Sequence, residues 1–145
     1  MPQGKTKYYK PIEDIRAEIR NHFEFPLVDL LKIERSEKVD LIFQKLVLFI
    51  KQNVRGISSS QLRKLFDVVG GIKGNELKIQ RPRIAHMIAK QPREKAKKMI
   101  ILVDVLIAHM DDTNSKGLHY FLKCLLAFHK YYEVLDQERI DLGNI

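Results

Sequence analysis

The sequence predicts an all-α chain folded as a compact bundle of about five to six helices. Apolar residues recur at i, i+3, i+4 and i+7 in several stretches of its 145 residues, the spacing of one helix face. No stretch alternates with period two for long, and no hairpin dipeptide separates two β-branched runs. Helix start and stop signals fall at the edges of the periodic stretches.

In order, residues 1–10 carry Lys5, Lys7 and Lys10 around Tyr8-Tyr9, which reads as a basic terminus able to act as an arm with stacking tyrosines. From Pro11 a short helix is expected, with Glu13-Asp14 early and Ile12, Ile15 and Ile19 on one side, ending before Pro26. Leu27, Leu30, Leu31 and Ile33 suggest a further apolar-faced turn or two. Val39, Ile42, Phe43, Leu46 and Ile50 form the next stripe. Leu41, Val47, Leu48 and Phe49 add a second apolar side, so this helix is expected deep in the bundle. Lys51 and Arg55 fall on one face at its end, and Gly56 is a natural stop.

Ser58 and Gln61 make a capping box, in which each side chain satisfies a backbone N–H that the helix start leaves orphaned. Ile57 and Leu62 occupy the positions of a hydrophobic staple, and Leu62, Leu65, Phe66, Val69 and Ile72 make the stripe, leaving Arg63, Lys64 and Asp67 outward. Gly70-Gly71 ends or loosens that helix and Lys73-Gly74-Asn75 is a turn. Arg81-Pro82 opens or kinks the following helix, with Ile84, Ala85 and Ile88 inward and Arg83, Met87 and Lys90 along one edge. The Arg81 stem is expected on the core rim with its guanidinium reaching out. Gln91-Pro92 starts a long helix with the stripe Met99, Leu102, Val103, Leu106, Ile107 and Met110. The cations of its first turns, Arg93, Lys95, Lys97 and Lys98, oppose the helix dipole and so point to a role other than stability. After a turn over 111–117, the last helix turns Leu118, Phe121, Leu122, Leu125, Phe128 and Tyr132 inward, with Lys123, His129 and Lys130 near its edges. The expected organisation is a basic arm plus short helix over 1–35, one bundle over 36–135 and an acidic tail over 136–145.

A chain with 45% hydrophobic and 30% charged residues is ordinary for one soluble folded domain. It has no internal repeat, no run of about 18 apolar residues that could span a membrane and no apolar secretory segment at its start. The lone Cys124 reads as a small buried residue of a reduced cytoplasm.

Charge is unevenly spread. Residues 51–98 hold thirteen Lys+Arg against Asp67, Glu76 and Glu94, a local +10, whereas the chain as a whole is +8. The excess belongs to one segment, the footprint of a polyanion-binding surface that gains affinity by releasing counterions from phosphates. Arginine supports this, because Arg63, Arg81, Arg83 and Arg93 can fork onto phosphates and stack on bases. These cations are expected to share one continuous exposed strip.

Catalytic chemistry is not visible, so no catalytic residue, metal ligand or cofactor is expected. His22, His86, His109, His119 and His129 contain no His-x-x-x-His pair, and one cysteine cannot supply a zinc site. No Gly-x-Ser-x-Gly elbow surrounds the serines at 58–60. The glycines at 70, 71 and 74 lack phosphate-loop spacing.

Three motifs then resemble the small subunit of the Csm effector complex, the type III-A CRISPR interference machine. Ser59-Ser60-Gln61-Leu62-Arg63-Lys64-Leu65 is similar to that family's Thr/Ser-Ser-Gln/Lys-Leu/Ile-Arg helix start. Arg81-Pro82-Arg83-Ile84-Ala85-His86, running to Ala89-Lys90, is similar to its Arg-Pro-Lys-(apolar)-x-Tyr segment with a Gly-Arg end. Leu126-Ala127-Phe128-His129-Lys130-Tyr131-Tyr132 is similar to its terminal Val-Ala-Tyr-(His/Phe)-Lys-(Phe/Tyr)-Tyr. The likeness spans about Glu37 to Tyr132. Departures are Ala89-Lys90 in place of Gly-Arg, His86 where tyrosine is common, and a longer start and end.

The resemblance implies a noncatalytic, cytoplasmic, prokaryotic helical bundle that stacks in several copies beside other Csm subunits. It would line the path of CRISPR RNA and the single-stranded target RNA paired to it, without sequence preference. By matching position it implies RNA contacts at Arg63, Arg81, Lys90 and Lys130, to which the face reading adds Arg83, Lys64, Lys51 and Arg55. Two other roles fit the same residues: a helix-turn-helix-like DNA-binding regulator reading duplex with the helix from Ser59, and an assembly adaptor whose basic face docks an acidic protein.

Overall fold

Pro11 takes extended backbone angles and opens α1 (Ile12–Phe23), whose first-turn acids Glu13 and Asp14 complement the helix dipole and whose Ile15, Ile19 and Phe23 are buried. The computed structural model describes residues 10–70 and 75–142. α1 ends on Glu24 at φ 61°, a left-handed C-cap taken by a non-glycine residue, whose N–H donates to the Arg20 carbonyl. Two short 3-10 turns follow, Leu27–Leu31 and Ile33–Arg35, burying Leu30, Leu31 and Ile33. The chain continues as α2 (Val39–Asn53), a 3-10 turn at Val54–Gly56, α3 (Ser59–Gly70), α4 (Asn75–Ile79), α5 (Arg81–Lys90), α6 (Glu94–His109) and α7 (Ser115–Leu142). Among the described residues there is no strand. The architecture is an all-α bundle in which the described residues form six helices of ten or more residues, with the five-residue α4 as a connector.

α6 is the centre. Ala96, Met99, Ile100, Ile101, Leu102, Val103, Leu106 and Ile107 are all buried, so the helix is covered nearly all round, as a core helix must be. α1, α2 and α5 pack on it, while α7 packs on α2, α3 and the Leu27–Leu31 turn. Phe23, Phe49 and His22 form an aromatic knot with Phe23 and Phe49 ring centroids 5.3 Å apart. Burying each such phenyl contributes about 1.5–3 kcal/mol.

Two glycines are required by close approach. A Cβ at Gly56 would lie 2.2 Å from the Lys95 Cβ and 3.0 Å from the Ala96 nitrogen. At Gly117 it would lie 1.7 Å from the Leu31 carbonyl oxygen. These approaches press the Val54–Gly56 turn onto α6 and α7 onto the Leu27–Leu31 turn.

Ile15, Ile19, Phe23, Leu30 and Leu31 of residues 11–35 join the common core, and residues 136–142 continue α7. Several expectations are corrected. Leu41 and Leu48 stand 41% exposed, so α2 is buried on one side only. Ala85 faces solvent, and α6 begins at Glu94, with Arg93 as N-cap, rather than at Gln91-Pro92. The turn expected over Lys73-Gly74, the residues Gly71 and Ile72 and the terminal Lys5, Lys7 and Tyr8-Tyr9 lie outside the described residues.

Candidate nucleic-acid interface

The expected cations are set by the start of α3 and the start of α5. At α3 the Ser58 N–H donates to the Gln61 side-chain oxygen and the Gln61 N–H to the Ser58 hydroxyl, each at 3.1 Å, the two halves of the capping box. Ile57 and Leu62, the staple, are buried. This start fixes the helix phase: Leu62 and Leu65 turn inward, and Arg63 and Lys64 are exposed.

The same start is clipped to α7. The Ser59 hydroxyl donates to Glu133 Oε1 at 2.7 Å and the Ser59 N–H to Glu133 Oε2 at 3.1 Å. Fully buried His129 spans Ile57 and Ser59, its Nε2–H donating to the Ile57 carbonyl at 2.8 Å and its Nδ1 lying 3.2 Å from the Ser59 hydroxyl. Burial pushes the His129 imidazole below its ordinary value, against the Ile57 carbonyl and the Glu133 charge. Burial works to raise Glu133, but the two bonds from Ser59 outweigh it and hold the carboxyl below the usual range. A serine, a histidine and a glutamate in contact do not make a catalytic triad here. The carboxylate bonds the serine rather than orienting the imidazole, and the remaining ring nitrogen is held by a backbone carbonyl. The chemistry is that of a clip.

At α5, Pro82 in the first turn has no N–H to lose, Ile84 and Ile88 are buried, and Arg83 and Lys90 are exposed along one edge. Arg81 is turned differently from expectation. Its Nε donates to Asp104 Oδ1 at 3.0 Å and its terminal nitrogen to Oδ2 at 3.3 Å, a two-pronged bond to a carboxylate only 6% exposed. The hydrogen bonds it donates to Asp104 raise Arg81 above the ordinary guanidinium value, against burial. Arg16 lies 3.9 Å from the same carboxylate. The pair joins α5 to α6.

The remaining cations divide in the same way. Arg55 sits in the 3-10 turn beyond α2, not on the α2 face with Lys51, and forks onto Asp136 of α7 with both bonds at 2.8 Å. That bond raises Arg55 and lowers Asp136. Lys51 stands over the Tyr132 ring, 5.5 Å from its centroid. Lys130 pairs with Glu133 at 3.7 Å. Lys98 is held by Glu18 at 2.9 Å and lies 4.0 Å from Glu94, an inward structural role for part of the cationic start of α6. Among the described residues, Arg63, Lys64, Arg83 and Lys90 have no ion pair. The helices carrying them dock on different members of the bundle, α3 on α7 and α5 on α6. Arg81, expected on the strip with its guanidinium reaching out, instead bonds inward while keeping 41% of its side chain exposed.

No family model, no curated protein and no solved structure matches this chain.

Among the described residues, no three His, Cys, Asp or Glu side chains gather where a metal ion could be held, and no helix is long and apolar enough to cross a membrane. Cys124 is buried, and burial pushes its thiol up. Two features escaped the sequence reading. Asp104 is an acid inside an apolar run, which signals a buried partner. His129 follows Leu125 by four residues and precedes Tyr132 by three, which places it on the inward stripe of α7.

Proposed function

We propose that this chain is a noncatalytic RNA-binding bundle, the small subunit of a type III-A CRISPR Csm effector ribonucleoprotein. It contacts phosphates of the CRISPR RNA and its paired target through Arg63, Lys64, Arg83 and Lys90. The observation that carries this reading is the contrast among the cations: Arg55, Arg81, Lys98 and Lys130 have carboxylate partners within the fold, and these four have none among the described residues. The motif resemblance supports the RNA assignment over other polyanions. Arg81 acts in this reading as the anchor that seats α5 on α6, with its exposed portion at the edge of the surface.

Binding of this kind is independent of base sequence, because the contacts are to backbone charge and base pairing between the two RNAs supplies the specificity. Partner subunits and further copies of the chain have a candidate contact surface. Leu41 and Leu48 of α2 and Tyr131 and Val134 of α7 are large exposed apolar residues on two helices that pack together.

Fluorescence anisotropy with two unrelated single-stranded RNAs and two duplex DNAs of unrelated sequence tests the reading. Equal affinity for the two RNAs is expected. Strong preference for one duplex sequence identifies a DNA regulator instead. No nucleic-acid affinity, together with co-purification of an acidic protein, identifies an adaptor.

A further inference from the structure

A cleft of about 340 Å³ opens between α1, the turn after Pro26 and the end of α6. Its wall is mainly apolar, built from Ile19, Phe25, Leu27 and Val105, and Arg16, Arg20 and His109 stand around it. Its size is at the low end for small-molecule sites, which run from about 300 Å³ upward. None of these residues belongs to the basic segment over 51–98.

The guanidinium groups here are only loosely engaged. The carboxylates nearest Arg16 are Glu13 at 3.6 Å and Asp104 at 3.9 Å, both beyond hydrogen-bond distance. Asp104 is already gripped by Arg81. The Arg16 Nε is buried with no hydrogen-bond partner, an arrangement that folded proteins rarely leave uncompensated. Arg20, one turn on, is exposed and carries no ion pair among the described residues. The His109 Nδ1–H donates to the Val105 carbonyl at 2.8 Å, which leaves Nε2 as the available ring nitrogen. The cleft lining holds two arginines, Arg16 and Arg20, and no acidic residue.

We propose that this cleft binds a small organic carboxylate: an acid with one carboxylate and an apolar body of roughly a phenylalkyl group's size. The apolar wall takes the body, and Arg16 and Arg20, one turn apart on α1, take the carboxylate, with a modest reorientation of the Arg16 side chain satisfying its orphaned donor. A guanidinium fork matches the two oxygens of a carboxylate. The apolar wall disfavours fully hydrated anions such as inorganic phosphate.

The test is a titration of the full chain with 4-phenylbutyrate, followed by amide NMR shifts and by thermal shift. Controls are the uncharged 4-phenylbutanamide and inorganic phosphate. The expected result is saturable binding with shifts at α1, residues 25–28 and the end of α6, at least about tenfold weaker for the amide and absent for phosphate. Arg20→Gln, an exposed change that leaves the core untouched, should weaken binding by about tenfold. Val105→Phe, which fills the cleft from α6, should abolish it while Arg20 remains. Equal binding of acid and amide, or no saturation by about 10 mM, overturns the proposal. Displacement of the acid by stoichiometric single-stranded RNA also overturns it, because the cleft is then part of the polyanion surface. That last result leaves the RNA-binding reading intact, so the two stand or fall separately.

Discussion

The Arg81 guanidinium holds Asp104 by two parallel hydrogen bonds of 3.0 and 3.3 Å, one helix gripping the buried flank of another. An arginine that a sum of charges places on a binding strip is thus committed to the joint between α5 and α6. Removing one partner of a buried pair leaves the other uncompensated, which costs more than the pair is worth. Arg81 is partly exposed, so water relieves some of that cost. Arg81→Gln is expected to destabilise the fold by about 2–3 kcal/mol in urea unfolding, and Arg83→Gln by less than about 0.5 kcal/mol. Equal, small effects of the two changes would remove Arg81 from its anchoring role.

The clip at the start of α3 makes a second prediction. Ser59→Ala removes the hydroxyl that donates to Glu133 and should cost about 1–2 kcal/mol. Ser58→Ala removes only the exposed cap and should cost about 1 kcal/mol. A double-mutant cycle of Ser59→Ala with Glu133→Gln should show coupling, whereas Ser58→Ala with Glu133→Gln should be additive.

Acid should loosen the same region, and each sign can be worked out. His129 has a folded-state pKa below its ordinary 6.5. Between the two values the unfolded chain takes up a proton that the folded chain refuses, so this contribution is full above 6.5 and declines as the pH falls toward the folded value. Glu133 is lowered from 4.5 and Asp136 from 3.8. Their contributions are present above those values and are lost as the pH falls through the folded ones. Thermal melts should therefore show a falling Tm from pH 7 to 5 that is reduced in His129→Gln, and a second fall below about pH 4.5 that persists in that variant. A Tm independent of pH between 7 and 5 would contradict the buried, neutral imidazole.

The close approaches at glycine give a structural prediction. Gly117→Ala places a methyl against the Leu31 carbonyl and Gly56→Ala places one against Lys95 and Ala96. Each should destabilise by about 1–3 kcal/mol or more, Gly117→Ala the more severely because its nearest obstacle is a backbone oxygen only 1.7 Å away. Urea midpoints rank the two directly.

What the sequence made legible follows the strength of local physics. Helix periodicity and the Ser58–Gln61 box are local patterns, and α3 starts where they place it. α4 was missed because five residues between two glycine-rich or proline-marked positions hold less than two turns of periodicity. Leu41 and Leu48 read as buried because hydropathy says what a residue favours and not which side its neighbours cover. The cation reading includes Arg63, Lys64, Arg83 and Lys90, which stand exposed. It also took in Arg55, Arg81 and Lys98, whose acidic partners Asp136, Asp104 and Glu18 lie 81, 23 and 80 residues away in the chain. A net charge summed over a window has no means of registering partners outside it.

The most direct test of the RNA-binding reading is the salt dependence of affinity for arbitrary single-stranded RNA, in the native chain and in one carrying Arg63→Gln, Lys64→Gln, Arg83→Gln and Lys90→Gln. Each phosphate that the protein no longer neutralises reduces the slope of log K against log salt by about 0.7. Removing all four charges should flatten the slope by roughly 2.8 while the Tm stays unchanged, since none of the four side chains has an ion pair among the described residues. An unaltered slope and affinity in the quadruple variant would contradict the assignment of α3 and α5 as the RNA-contacting surface.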